Sequence, residues 1–275
     1  MPVALFISPH LDDVAFSCGG TFATLAQAGW QCILLTVFTR SVPNPTGFAL
    51  ACQTDKGFGP EVDYLALRRQ EDTRAGHHLG AAKARWLDLP EAPHRGYHSP
   101  AALFTDLLPT DAVSQALVPL LAAELSATAP KLVFAPQGLG LHVDHRQVMQ
   151  ALCAVVPPSL PVLWYRDTPY IIRQPDAQPA PELPAGLAEV AFPLTAAALA
   201  AKVAASQAYA SQTGFQFGGT ERVLTKLTQL AEAEGKAAGK AHAAERFAVA
   251  PAAVAALPGS IEVVQPRQLS DTFSD

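Results

Sequence analysis

The sequence predicts an α/β protein built on a mainly parallel sheet, and three observations carry that expectation. Apolar runs too short for helices recur along the chain, among them residues 3–7, 32–38 and 131–135. Each run stops at a turn or polar loop, and longer Ala-rich stretches of helical character separate them, as when crossover helices join parallel strands. The chain also has 275 residues, 49% of them hydrophobic, enough for one large domain with a full core.

Taken in order, residues 3–7 read as a buried strand bounded by Ser8-Pro9, and Gly19-Gly20 precede a helical run over 21–28. A second strand spans 32–38. Residues 39–60 hold Pro43, Pro45, Gly47, Gly57, Gly59 and Pro60, a long loop that reads either as a lid over the strand ends or as a surface excursion. A helix over 62–79 carries Arg68, Arg69, Glu71, Asp72 and Arg74, a pattern that also fits a solvated face with intrahelical ion pairs. A strand over 84–89 leads to a loop reaching about residue 109, followed by a helix over 112–127, the strand 131–135 and an amphipathic run over 148–156. Beyond a strand at 162–165, residues 174–184 read as a Pro-rich surface loop and 187–192 as an edge strand. Residues 194–210 read as a helix, 211–220 as a loop that closes over the site, and 221–244 as a helix broken near Gly235 and Gly239. A Pro-interrupted tail starts at Val249. No repeat or linker divides the chain, so residues 1–275 are expected to form a single domain.

Composition narrows the function. Charged residues are only 16% of the chain, the net charge is -5, and no basic stripe occurs, which argues against a nucleic-acid partner. No apolar run approaches the ~20 residues of a membrane span. Cys18, Cys32, Cys52 and Cys153 form no C-x-x-C, and no charged-then-apolar leader precedes the first strand. Reduced, buried thiols in a cytoplasmic protein are the expectation.

The chemistry gathers in two places. His10, Asp12 and Asp13 follow the first strand, and His142, Asp144 and His145 follow the strand 131–135 across the turn Gly138-Leu139-Gly140. In open α/β sheets ligands bind beyond the carboxyl ends of strands. Adjacent carboxylates repel and are costly to desolvate unless a cation neutralises them, and imidazole with carboxylate suits zinc or iron(II). Either cluster alone also reads as a solvated, helix-capping turn; two together favour a shared metal site.

These residues carry a family resemblance. His10-Leu11-Asp12-Asp13 with Gly19-Gly20, and His142-Val143-Asp144-His145, resemble the two signatures of the PIG-L/LmbE-like zinc-dependent N-deacetylases. Arg68, Glu71, Ala75 and Leu79-Gly80, then Lys202, Tyr209 and Ser211-Gln212, extend the likeness over roughly residues 3 to 212 in order, leaving about 220–275 as the variable part. Leu11 and Val14 stand where that pattern often has Pro and Glu, and Leu139-Gly140-Leu141 where some members carry a tyrosine. The resemblance implies a Rossmann-like three-layer fold whose first and fourth strands carry the ligands. No G-x-G-x-x-G opens a helix, so no dinucleotide is implied.

What the resemblance implies for the site is specific. His10, Asp13 and His145 hold Zn2+, with Fe2+ as the alternative ion. Asp12 is the base, His142 stabilises the oxyanion or protonates the departing amine, Asp144 orients His142, and Arg68 reaches the substrate. The substrate is a small N-acetylglucosamine-containing conjugate, hydrolysed to acetate and free amine. Two alternatives stand beside this: an amidase acting on a thiol-sugar conjugate or other amide, and a non-catalytic sugar- or metal-binding relative. The spare carboxylate of Asp12 argues against the second.

Overall fold

The computed structural model describes residues 1–259 and 262–264, in which eight strands form one sheet. These are β1 (Val3–Ser8), β2 (Gln31–Thr36), β3 (Lys83–Trp86), β4 (Leu132–Pro136), β5 (Val162–Tyr165), β6 (Ala188–Pro193), β7 (Ala244–Val249) and β8 (Glu262–Val263). The order across the sheet is β3-β2-β1-β4-β5-β7-β6-β8. From β3 to β5 every pairing is parallel; β7, β6 and β8 add an antiparallel extension. The helices are α1 (Asp13–Gln27), α2 (Gly47–Thr54), α3 (Tyr64–Leu79), α4 (Val113–Thr128), α5 (Val143–Val155), α6 (Tyr170–Arg173), α7 (Ala196–Gln207), α8 (Ala210–Phe217) and α9 (Thr220–Ala237).

The apolar runs are continuous because both faces of the sheet are covered. Ala4 and Phe6 of β1 point to the layer that holds α1, α3, α7 and α9, while Leu5 and Ile7 point to α4 and α5. Phe6 stacks on Phe134 of β4 with ring centroids 4.1 Å apart, so the two central strands are locked face to face as well as by their ladder. The chain leaves β1 for β2 on one side, and β4 flanks β1 on the other. The carboxyl ends of β1 and β4 therefore border the switch-point crevice where such sheets bind ligands. Both motifs lie there.

Several elements depart from the sequence expectation. The first helix begins at Asp13, eight residues before residue 21, because the turn after β1 is already closed: the Ser8 hydroxyl donates to the His10 carbonyl at 2.6 Å and accepts from Val14 N–H at 3.1 Å. Gly19 and Gly20 lie inside this helix, just past a break at Cys18 (φ -131°, ψ 24°). The loop 39–60 contains α2. The expected loop 211–220 is largely α8. The expected edge strand, β6, is paired on both sides. The expected helix to residue 244 ends at Ala237, since Gly235 lets the chain double back: a Cβ there would lie 1.9 Å from the His242 carbonyl oxygen. The returning chain becomes β7, inserted between β5 and β6. Of the four free thiols Cys18 and Cys32 are buried, but Cys153 is exposed. The expectation for the tail beyond residue 264 lies outside the described residues. Among those described, no helix is long and apolar enough to cross a membrane.

The break in α1 has a chemical partner. It leaves Gly20 and Thr21 N–H unused by the helix, and both donate to the buried Glu245 carboxylate of β7, at 3.1 and 2.7 Å, with the Thr21 hydroxyl adding a third bond. Lys202 of α7 completes the cluster, its Nζ 2.6 Å from Glu245 and 3.0 Å from the Ser17 carbonyl oxygen. Removing one partner of a buried, hydrogen-bonded ion pair leaves the other charge uncompensated, typically at a cost of about 3–5 kcal/mol. Lys202→Met is expected to lower the unfolding free energy by about that amount in urea denaturation; a change below ~1 kcal/mol would mean that the backbone amides alone satisfy Glu245.

Candidate active site

The first motif is held by its own turn. Beyond β1 the backbone N–H of His10 donates to Asp13 Oδ2 at 2.7 Å, which turns that carboxylate back over the imidazole. Asp13 Oδ2 then lies 3.3 Å from His10 Nδ1 and 3.4 Å from His145 Nε2. His145 arrives from the other side of the crevice, in the first turn of α5. The loop before it needs positive φ at Gly138, Gly140 and Leu141 (71°, 85° and 64°) to bring the chain from β4 into the helix. His142 caps that helix, its Nδ1 accepting from Asp144 N–H at 3.2 Å.

Each of the two imidazoles facing Asp13 has its other nitrogen on a second carboxylate. His10 Nε2 is 2.9 Å from Asp144 Oδ2, and His145 Nδ1 is 2.6 Å from Asp167 Oδ1. Such outer carboxylates fix the tautomer and aim the inner nitrogen, the pattern seen around metal-binding histidines. Asp144 is itself fixed by Ala92 N–H at 3.1 Å and by Arg95 at 2.6 Å. Arg95 is in turn clamped on Asp111 through Nε and Nη2 at 3.1 and 3.0 Å. Asp167 takes Leu139 N–H at 3.0 Å on its free oxygen.

Two donor sets present themselves for a cation. The ring nitrogens of His10, His142 and His145 come within 4.8 Å of one another. In the set His10, Asp13 and His145, Asp13 Oδ2 stands 3.3 and 3.4 Å from the two imidazole nitrogens, which matches the edge of about 3.3 Å between tetrahedral ligands bound at 2.0–2.1 Å. His145 Nε2 is buried and has no hydrogen-bond partner, which is costly unless a ligand takes it. Two imidazoles and a carboxylate therefore fit a divalent ion, with His142 standing beside it.

The electrostatics separate the two adjacent acids. Burial works against the Asp13 carboxylate, yet the charge of His145, with the hydrogen bonding and charge of His10, holds it well below the usual range. Asp12 has no such hydrogen-bonded imidazole: burial pushes it up to about 7, with Arg68 and more weakly His10 pulling the other way and Asp13 adding to the rise. His145, despite burial, is raised to about 9 by Asp13 and Asp167. Burial, with the neighbouring His10 and His145, lowers His142 well below the ordinary imidazole value.

These contacts bear on two of the expected roles. Asp144 meets His142 through its backbone N–H, while its carboxylate is on His10, held to that side of the crevice by Arg95 and Ala92 N–H. Arg68, expected at the substrate, is buried and occupied. It donates to Glu91 Oε1 at 2.7 Å and to the Leu11 carbonyl at 3.1 Å, and it faces Asp12 Oδ2 at 3.6 Å. Asp167, Arg95 and Asp111 were not singled out from the sequence as functional. The one available signal for Asp167 was its place just past the end of β5, next to β4.

A family model described as PIG-L, GlcNAc-PI de-N-acetylase, matches residues 5–156 and takes in both motifs. The chain belongs to this family. Within the wider set of relatives, the 2'-N-acetylparomamine deacetylase of Streptomyces fradiae is 35% identical over 167 residues, 60% of this chain and 57% of that protein. The protein of the same name from Niallia circulans is 31% identical over 185 residues, 60% of this chain and 66% of that one. The alignments thus span less than two thirds of either relative. The zinc-inhibited form of teicoplanin deacetylase Orf2 superposes with a TM-score of 0.73 at 26% identity, over 90% of this chain and 97% of the other. Asp167 lies beyond the PIG-L match, and its contact with His145 supplies a direct test. Losing an outer carboxylate typically weakens metal binding about 10–100-fold. Asp167→Asn is expected to weaken zinc affinity by that factor in competition with a chromogenic chelator, with far-UV circular dichroism unchanged.

Proposed function

We propose that this protein is a metal-dependent hydrolase that removes the N-acetyl group from an N-acetylglucosamine-containing conjugate, giving acetate and a free amine. One observation carries the reading: two imidazoles converge on the Asp13 carboxylate, while Asp12, its sequence neighbour, is turned to a guanidinium instead. A binding site needs only the first carboxylate; a hydrolase also needs a base. Family membership and the deacetylase names of the relatives support the same reaction class.

His10, Asp13 and His145 would hold the ion, zinc or iron(II) by the chemistry of the donors. When bound, the ion supplies a Lewis acid that polarises the amide carbonyl and lowers the pKa of water. Asp12 takes the proton from the attacking water as its oxygen adds to the carbonyl carbon. Arg68 keeps the Asp12 carboxylate in place, anchored by Glu91 and the Leu11 carbonyl on its other faces. His142 accepts a backbone N–H on Nδ1, so its proton sits on Nε2, where it donates to the oxygen of the tetrahedral intermediate. The carbon–nitrogen bond then breaks, and the proton held by Asp12 passes to the leaving amine. Asp144 and Asp167 keep the His10 and His145 rings aimed throughout.

The assignment of the two acids is tested by Asp12→Asn. It is expected to retain metal, measured by atomic emission, while turnover falls by about 10²–10⁴-fold, the usual contribution of a positioned base. Joint loss of metal and turnover would reverse the two roles. The reaction class is tested by following amine release from a panel of N-acetylglucosamine conjugates with and without chelator. Release abolished by chelator and restored by zinc or iron(II) is the expected outcome; no acetate from any conjugate at full metal loading would make the protein a binding relative.

A further inference from the structure

The two residues that flank Asp167 each bury a polar atom with no hydrogen-bond partner. Thr168 is 1% exposed, and its hydroxyl has none. Arg166 Nε is buried as well; Glu234 Oε1 lies 3.3 Å from it, but off the line of the N–H. A buried donor left without an acceptor costs the full desolvation penalty, so such atoms are rare unless water or an ion meets them.

Both side chains line one small cavity. Its polar walls also include Ser17 of α1, Lys202 of α7, Glu234 of α9, and Glu245 and Arg246 of β7, so segments far apart in sequence meet there. The free volume is about 10 Å³, the room that a single water needs. The charges balance: Arg166, Lys202 and Arg246 face Glu234, Glu245 and Glu189, the last held on Arg246 Nη1 at 2.6 Å. A neutral occupant therefore suits the cavity better than an anion. It has to accept from Arg166 Nε–H and donate to a carboxylate, and water does both.

We propose that this cavity binds one ordered water, which bridges the Thr168 hydroxyl and Arg166 Nε to Glu234 and thereby steadies Asp167 behind His145. The water accepts from Arg166 Nε–H and from the Thr168 hydroxyl, and it donates to the Glu234 carboxylate. Residue 168 is held on its backbone side by α1, its N–H donating to Ser17 Oγ at 3.0 Å. The water ties its side chain to α9, so that both neighbours of Asp167 are fixed. Thr168 and Arg166 are thus positioning residues, acting through Asp167 on the ring of His145. This positioning role rests on the metal-site reading above; the water itself does not.

Diffraction from crystals of the whole chain, at a resolution that shows ordered solvent, tests the water. One peak within hydrogen-bond distance of Thr168 Oγ1 and Arg166 Nε is the expected result. No peak there, or an anomalous signal after bromide soaking, would overturn it. The positioning role is tested by zinc affinity, measured in competition with a chromogenic chelator. Thr168→Val is expected to bind zinc about three- to tenfold more weakly, less than the 10–100-fold typical of losing an outer carboxylate itself. Thr168→Ser, which keeps the hydroxyl, should stay within about twofold of wild type. Thr168→Ala gives the same comparison should Thr168→Val not fold. A lower melting temperature with zinc affinity unchanged would mean that the water has no hold on Asp167, and an equal loss of affinity in Thr168→Ser would mean that the hydroxyl is not the cause; either overturns the positioning role. A wild type that binds no zinc would strike the metal site, and the positioning role with it, while the solvent peak would stand.

Discussion

Asp144 and Asp167 each hold the outer nitrogen of an imidazole, and the rest of the site depends on that pair of contacts. An imidazole on a loop or helix start has two rotatable bonds and two chemically different nitrogens. Without an outer partner neither the ring plane nor the proton position is defined. Here the first carboxylate fixes His10 and the second fixes His145, so that Nδ1 of one and Nε2 of the other face the same oxygen of Asp13. The contact web extends outward from each carboxylate: Asp144 to Arg95 and Asp111 on the 92–111 loop, Asp167 to the backbone of the 138–141 turn. Both loops that border the cleft are thereby tied to the ring orientations.

The same principle explains how two neighbouring aspartates come to differ. Peptide geometry sends consecutive side chains in different directions, and each finds a different kind of cation. Asp13 meets two imidazoles and stays ionised; Asp12 meets one guanidinium that it shares with Glu91 and a backbone carbonyl, and burial leaves it much easier to protonate. The difference between the adjacent acids follows from their partners, with no difference in residue type.

Much of this was legible in the sequence, for identifiable reasons. Buried parallel strands leave uninterrupted apolar runs, and the polar residues that follow them stand out, so His10 to Asp13 and His142 to His145 could be placed at strand ends before any coordinates. Asp167 was hidden because a single acid after a strand has no pattern around it; its meaning is a contact with a residue 22 positions earlier. Arg68 and Asp144 were visible as residues, but their partners come from the 91–95 stretch, whose spacing carries no signal. Gly214, Gly218 and Gly219 make the α8 segment read as a loop, and the short run of β7 follows a helical stretch with only Gly235 and Gly239 to mark the turn between them. The break at Cys18 was equally invisible, since it is imposed by Glu245 from far along the chain.

That last contact has a consequence for how the protein is made. The helix carrying Asp13 is pinned by a carboxylate 225 and 224 positions later than the amides it receives. During synthesis the first strands and the cleft residues leave the ribosome long before residue 245 exists, so α1 spends that time without its anchor and with the Lys202 pocket open. Pairings of such large sequence separation form late and slowly, and exposed surface in the interval favours misassembly. The helix that carries Asp13 therefore gains its anchor only once β7 stands between β5 and β6.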